Sequence, residues 1–285
     1  MQPLHSRIAP TPSGFLHRGN AFNFVLTWLL VRRSGGTLRL RIDDYDLPRV
    51  RKEYVDDVFR LLDWLQIDWD EGPKSPDDHF RNFSSAHRME LYRDLLEKLR
   101  RSGKTYYCTC SRKTQVKQAC HCREQHHSAG AIKLQAARTI RFHDIFQGEK
   151  GIHVEDFTVW RRDGLPAYQL ASVADDAFFG TDFIVRGNDL PESTAAQILL
   201  AETAGMSVFS NIRFGHHPLM LDDRGGKLSK SAGSAAMKNL YQSYRQRSFF
   251  FRKFSIWLGY SVEFTSAEEL LRNAVIDMNQ HFNNF

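Results

Sequence analysis

The stretch LHSRIAPTPSGFLHRGNAFNFVLTWLLVRRSGGTLRLRID, residues 4–43, sets two apolar runs of different character around a loop. Residues 4–9 read as a short strand that ends at Pro10. Residues 21–33 carry Phe, Leu, Val and Trp on nearly every side, which predicts a buried helix, with Asn20 as its N-cap and Gly35-Gly36 as its stop. TLRLRID then alternates: Leu38, Leu40 and Ile42 face one way, Arg39 and Arg41 the other, the period of a strand. Strand, glycine-containing loop, helix, strand is the opening of a doubly wound, Rossmann-type α/β parallel sheet.

The loop itself, TPSGFLHRGN at residues 11–20, delivers the chain to a helix N-terminus. Free backbone N–H groups and the helix dipole make such a place an anion site. There Gly19 lets a ligand approach the backbone closely, and His17 is placed to donate a hydrogen bond to phosphate.

Downstream, two amphipathic helices are predicted at 49–66 and 84–102. A Cys-, His- and base-rich block at about 105–151 breaks the rhythm, as an insertion into one sheet. FTVWRRDGLPAYQLA, residues 157–171, reads as a hairpin turning at Asp163-Gly164. TDFIVRG, 181–187, is a further strand, and STAAQILLAETAG, 193–205, a helix closed by Gly205. The basic, glycine-rich DDRGGKLSKSAGS, 222–234, leads into a helical tail.

With 285 residues, 42% hydrophobic and 25% charged, the composition is that of a soluble globular protein of one or two domains. The apolar run 25–31 is interrupted by Thr27 and stopped by Arg32 and Arg33, too short to span a bilayer. Residues 1–5 hold no basic leader region, so a cytoplasmic protein without membrane contact is expected. Charge is distributed unevenly. Residues 101–150 carry +7 and residues 224–253 carry +8 in a chain of net +6, so the remainder is acidic. Two basic zones on an acidic chain predict a polyanionic partner such as nucleic acid.

All four cysteines fall within 108–122, in CTCSRKTQVKQACHC. Cys108 and Cys110 are two apart, as are Cys120 and Cys122, so each pair projects to one side of an extended backbone. Four converging thiolates suit structural Zn2+, whereas a disulfide within Cys-x-Cys is strained.

Late in the chain KLSKS, residues 227–231, places Lys227 and Lys230 three apart among glycines. Lysine is a compact, mobile charge suited to a triphosphate, and a glycine-flanked loop can close over a nucleotide. The pairing of His17-x-Gly19-x with this lysine loop resembles the paired signatures of class I aminoacyl-tRNA synthetases. Residues 7–49 resemble the first sheet half of the glutamyl-tRNA synthetases. The stretch 167–190, followed by Ser193-Thr194 and HHPLM at 216–220, resembles the second half. The likeness runs from about residue 7 to 231.

That resemblance implies a division into 1–100, the first half of the catalytic domain; 101–165, an RNA-contacting insertion carrying the cysteines; 166–235, the second half with the lysine loop; and 236–285, a small helical subdomain. It implies that Arg7, Ala9, Thr11, Asp43, Tyr168, Ser172 and Arg186 hold L-glutamate, Asp43 standing one methylene short of the usual Glu and Ser172 where many relatives have Asn. It implies that His17, Gly19, Asn20, Lys227 and Lys230 bind ATP, with Mg2+, and stabilise phosphate charge during adenylation. Relatives with a Cys-x-Cys here often use a mixed fourth zinc ligand, so His121 stands as an alternative to Cys120. Only about 54 residues follow Ser231, which points to a short branch of the family. That branch activates glutamate without tRNA and attaches it to queuosine in the anticodon stem-loop of tRNA(Asp). The aromatic and basic residues Tyr241, Tyr244 and 249–251 are candidates to meet that RNA, the three Phe fitting core packing better. A monomer is expected. The competing readings are a minimal synthetase charging a tRNA 3′ end, an adenylyltransferase unconnected with RNA, and a silent RNA-binding relative in which Asp43 and Ser172 are lesions.

Overall fold

The computed structural model describes residues 2–110, 120–219 and 244–274. Lys227, Lys230 and Tyr241 lie outside the described residues. Strand β1 (His5–Ile8) pairs in parallel with β2 (Thr37–Leu40), from His5 opposite Thr37 to Ile8 opposite Leu40, and helix α1 (Arg18–Ser34) connects them. Helix α1 is buried almost all round, from Ala21 to Val31, as its apolar composition requires. It begins earlier than the sequence suggests. His17 is the N-cap, and Asn20 lies three residues inside, its Oδ1 accepting the His17 N–H at 3.0 Å. Gly35 closes the helix in the left-handed region (φ 67°). A Cβ on Gly36 would stand 2.0 Å from the Leu4 carbonyl oxygen, so only glycine lets α1 hand the chain to β2 here.

Beyond β2 the backbone stays extended, with Arg41 N–H donating to Ile8 O at 2.9 Å and Asp43 N–H to Pro10 O at 2.9 Å. Leu38, Leu40 and Ile42 are buried as the alternation predicts, but so is Arg41. It faces Asp43, two residues on along the same extended backbone, and Asp176, which the tertiary fold delivers. Helices α2 (Lys52–Leu65) and α3 (Met89–Arg101) follow.

Strands β3 (Thr105–Cys108), β4 (Ala131–Leu134) and β7 (Phe157–Trp160) form an antiparallel sheet ordered β3-β4-β7. Between β4 and β7 in sequence, β5 (Arg138–Asp144) and β6 (Gly148–Val154) make a hairpin that joins the sheet of the second half. The hairpin predicted at 157–171 forms with its turn at Asp163-Gly164 but is shorter than expected. The turn at Gly164 (φ 81°) does close, Arg161 N–H donating to Leu165 O at 2.8 Å, Ala167 N–H to Val159 O at 3.0 Å and Trp160 bridging to Pro166, but the returning arm ends there and Tyr168 opens helix α4 (Tyr168–Phe178). Leu170, Ala171, Val173 and Ala174 recur at helical spacing and are buried, and that periodicity takes the rest of the arm.

Strand β8 (Phe183–Gly187), helix α5 (Pro191–Thr203) and strand β9 (Arg213–His217) complete the second half, with β8 parallel to β9 and β9 parallel to β5. Pro191 occupies the first helical turn of α5, where its missing N–H is harmless, so this helix too starts ahead of its sequence-based boundary. The two halves are stitched beside β1: Asp182 N–H donates to His5 O at 2.9 Å, and the Ser6 hydroxyl to Phe183 O at 2.7 Å. The parallel layer therefore runs β2, β1, β8, β9, β5, the Rossmann-type arrangement expected. Helix α6 (Tyr244–Trp257) sets Phe250 and Phe254 edge-on against Phe22 of α1, with Phe251 buried beside Phe250 in the same core, and α7 (Ala267–Asn273) adds Leu270. Each such buried ring contributes about 2 kcal/mol of apolar burial. Phe249 alone of the three consecutive Phe stays exposed, beneath the Lys253 ammonium at 4.9 Å. None of the described helices is long and apolar enough to cross a membrane.

Candidate active site

Open parallel sheets bind ligands in the crevice outside the carboxyl ends of their strands. Here that crevice is a cleft of about 410 Å³ between the ends of β1, β8 and β9 and the N-terminus of α1. Arg7, Ala9, Thr11, His17, Gly19, Asn20, Tyr168 and Arg186 all line it. Asp43 and Ser172 do not. The Asp43 carboxylate is gripped from behind by Arg41 (Nε to Oδ1, 2.7 Å), and the Ser172 hydroxyl lies 3.4 Å from Asp176. Gly19 has a local task as well: the His17 ring folds over it, and a Cβ there would stand 3.0 Å from that ring.

Beneath the cleft lies a buried charge cluster. Arg7 donates through Nε to Asp176 (2.9 Å), and Arg41 bonds both Asp176 (2.7 Å) and Asp43. Arg88 forks onto Asp175 at 2.8 and 3.1 Å, and the Tyr92 hydroxyl adds a bond to the same carboxylate. Burial opposes the charge on Arg41, but Asp176, Asp43 and Asp175 outweigh it and hold its pKa well above the ordinary guanidinium range. Asp176 likewise ends below the usual carboxylate range because Arg41, Arg7 and Arg186 overcome its burial. Asp175 and Asp176 carry no local signal in the sequence, since the arginines that pair with them lie 87 to 169 residues away; Arg41 has one near partner, Asp43.

Arg186, at the end of β8, is different. Its Nη1 donates to Gln197 Oε1 (2.9 Å) and Thr194 Oγ1 (3.2 Å), while Nη2 is buried without a partner among the described residues. Burial pulls its pKa down, and it has no ion pair with a carboxylate among those residues. A buried cation with an unused donor edge in a cleft is a receptor for an anionic oxygen. On the opposite side, burial lowers His217 to about 4, so it is neutral. Its Nδ1–H donates to Pro218 O (2.8 Å), and Nε2 accepts from Asn23 (3.1 Å).

Near the cleft, Cys108, Cys110, Cys120 and Cys122 converge, their sulfurs all within 4.8 Å of one another. Separations of 3.7 Å (108–120), 3.8 Å (110–120) and 3.5 Å (110–122) match the roughly 3.8 Å edge of a tetrahedron with metal–sulfur bonds of about 2.3 Å. His121 points elsewhere, exposed and 3.8 Å from Glu124. Between cluster and cleft lies a second cavity of about 740 Å³, lined by Arg49, Lys133, Arg161 and Arg162 and sharing Thr11 and Tyr168 with the first.

The family described as tRNA synthetases class I (E and Q), catalytic domain, matches residues 3–132 and 118–284. The chain belongs to this family of class I tRNA synthetases, and is a ligase of that class. It is 37% identical over 265 residues to the glutamyl-Q tRNA(Asp) synthetase of Symbiobacterium thermophilum, covering 83% of this chain and 81% of that protein. It is also 34% identical over 258 residues to the glutamate–tRNA ligase of Oleidesulfovibrio alaskensis, of which it spans 53%. The crystal structure of glutamate-tRNA synthetase from Elizabethkingia anophelis shares the fold, with a TM-score of 0.78 at 21% identity over 98% of this chain and 67% of that one.

Proposed function

We propose that the protein activates L-glutamate with ATP, without tRNA, and transfers it to queuosine in the anticodon loop of tRNA(Asp). The observation that carries the amino-acid assignment is the unpartnered Nη2 of Arg186, a residue that lines the cleft together with Arg7 and Tyr168. A guanidinium edge takes a carboxylate bidentately, at about 1.5–3 kcal/mol per charge-assisted bond. The amide of glutamine offers one acceptor and presents N–H groups to N–H groups. Ala9 and Thr11 line the wall beside the amino acid, while Asp43, neutralised by Arg41, and Ser172 support it from behind.

In the reaction the α-carboxylate of glutamate attacks the α-phosphorus of ATP, an acyl-phosphate bond forms, and pyrophosphate leaves. The carboxylate is already ionised, so no general base is needed, and catalysis is positioning plus electrostatics. The N-terminus of α1, with His17, Gly19 and Asn20, receives the phosphates, and Lys227 and Lys230 complete their neutralisation. Mg2+ arriving with ATP shares that load. The acceptor nucleoside enters by the basic second cavity, between the catalytic halves (1–100 and 166–235) and the insertion (101–165), and the terminal part (236–285) braces the RNA. The cysteine cluster holds structural Zn2+ that fixes the insertion, with Cys120 as fourth ligand. Replacing Cys110 by Ser is expected to release about one equivalent of zinc on metal analysis; a wild-type protein without zinc overturns this part.

The likeness to a glutamyl-Q tRNA(Asp) synthetase supports the acceptor assignment, and the likeness to glutamate–tRNA ligases supports the alternative of 3′-end charging. One experiment separates them. With radiolabelled glutamate and ATP, queuosine-containing tRNA(Asp) is expected to be labelled and unmodified tRNA(Asp) not. Label on the 3′ end of tRNA(Glu) establishes the alternative. Failure of glutamate-dependent ATP–pyrophosphate exchange removes both.

A further inference from the structure

Behind Arg186 runs a line of buried polar groups that the adenylation chemistry does not touch. Thr194 Oγ1 lies 3.2 Å from Arg186 Nη1 and 2.9 Å from His216 Nε2. The other ring nitrogen, His216 Nδ1, is bonded to Asp144 Oδ2. Asp144 is itself fixed by the backbone N–H groups of Phe146 (2.9 Å) and Gln147 (3.0 Å). Thr194, His216 and Asp144 are fully buried, on α5, β9 and the end of β5.

The chemistry of these groups gives the line a direction. A carboxylate only accepts, so His216 Nδ1 carries the proton, and in the neutral ring Nε2 is then an acceptor. The Thr194 hydroxyl hydrogen goes to Nε2, because the competing bond to the Leu190 carbonyl is longer, at 3.3 Å. The lone pairs of Thr194 are thereby turned toward Arg186, whose N–H they accept. Gln197 Oε1 holds the same Nη1 from the other side. Both acceptors sit on one corner of the guanidinium, and Nη2 is what remains for a ligand.

We propose that Asp144, His216 and Thr194 form a positioning relay that orients Arg186 and so sets the preference for glutamate over glutamine. The relay rests on the glutamate reading above. None of the three residues touches substrate; they act through the guanidinium.

Thr194→Val deletes the hydroxyl and keeps the shape. In ATP–pyrophosphate exchange its KM for glutamate is expected to rise about tenfold, with the KM for ATP within about twofold of wild type. The preference for glutamate over glutamine in kcat/KM should fall about as much, and Thr194→Ser should restore both. Unchanged glutamate kinetics in a folded Thr194→Val overturn the relay. So does a parallel loss in both KM values and kcat with lowered urea stability, the mark of a merely structural role. An independent check needs no variant: in 15N spectra of the wild type near neutral pH, His216 should show a protonated Nδ1 and a bare Nε2. A proton on Nε2 breaks the direction of the relay. A wild type without glutamate-dependent exchange removes the functional reading and this inference together, whereas wild-type exchange with an indifferent Thr194→Val removes the relay alone.

Discussion

Two groups of buried charge lie under the cleft, built on opposite plans. In the first, Arg7, Arg41 and Arg88 meet Asp43, Asp175 and Asp176, and each of these cations has a carboxylate within 2.9 Å. In the second, Arg186 is held among the described residues by neutral groups, the Gln197 amide, the Thr194 hydroxyl and the Phe214 ring at 5.6 Å. Arg41 and Arg88 are finished without a ligand and serve shape, while Arg7 spends its Nε on Asp176 and still lines the cleft. A cation held by neutral acceptors is left with its charge, and an anion completes it. The difference separates the scaffold of the site from its receptor more sharply than burial does, since Arg41 and Arg186 are about equally enclosed, at 3% and 5% exposure.

The comparison can be broken most severely at its open end. Arg186→Met fills similar space without charge, and kcat/KM for glutamate in pyrophosphate exchange is expected to fall about a thousandfold, near 4 kcal/mol, with little loss of stability. A comparable fall in urea stability would put Arg186 in the scaffold instead. At the closed end the effect should be the reverse. Asp176→Asn leaves Arg7 and Arg41 short of a carboxylate in a dry interior, and is expected to lower unfolding free energy by about 3 kcal/mol in urea titrations. A variant as stable as the wild type would deny that the set is closed.

Asp44 sharpens the contrast by inverting it, being an anion held by hydrogen-bond donors with no arginine or lysine paired to it among the described residues. Burial opposes its charge, but bonds from His79 (3.1 Å), Ser84 (2.7 Å) and the Ser85 N–H (2.7 Å) outweigh burial and bring its pKa to about 2. A carboxyl whose folded pKa lies below its ordinary value of 3.8 stabilises the protein above that value, and the contribution is lost as pH falls toward 2. Asp44→Asn is therefore expected to lose about 2 kcal/mol at neutral pH and to flatten the acid limb of the stability profile, read in urea melts from about pH 2 to 6. An unchanged acid limb would place the linkage on other groups.

The opening β1–α1–β2 unit was legible because its signals are local: a period of two, an apolar helix, a glycine stop. Its cap was misplaced by three residues, since His17 and Asn20 exchange roles once the Asn20 side chain folds back on the His17 amide. Arg7, Thr11, His17, Tyr168 and Arg186 were nominated from motifs, and the fold brings them to one cleft. Arg41, Asp176 and His216 were not. The ion pairs of Asp176 with Arg7 and Arg41 and the bond of His216 to Asp144 join residues 72 to 169 apart, and no window of sequence contains a relation that long. The predicted hairpin closes only as far as Ala167, because the helical stripe over the eleven residues from Tyr168 takes the rest of its returning arm.

The stitch between β1 and β8 has a consequence for how the protein is made. Its bonds join residues 177 apart, yet Arg7 and Arg186 straddle them. Closing a loop of that length is a late, entropically costly event. The proposed receptor for the amino acid is thus completed only when β8 has docked beside β1. Ligand added during refolding has nothing to grip before that moment, and it can stabilise the finished sheet without hastening its assembly.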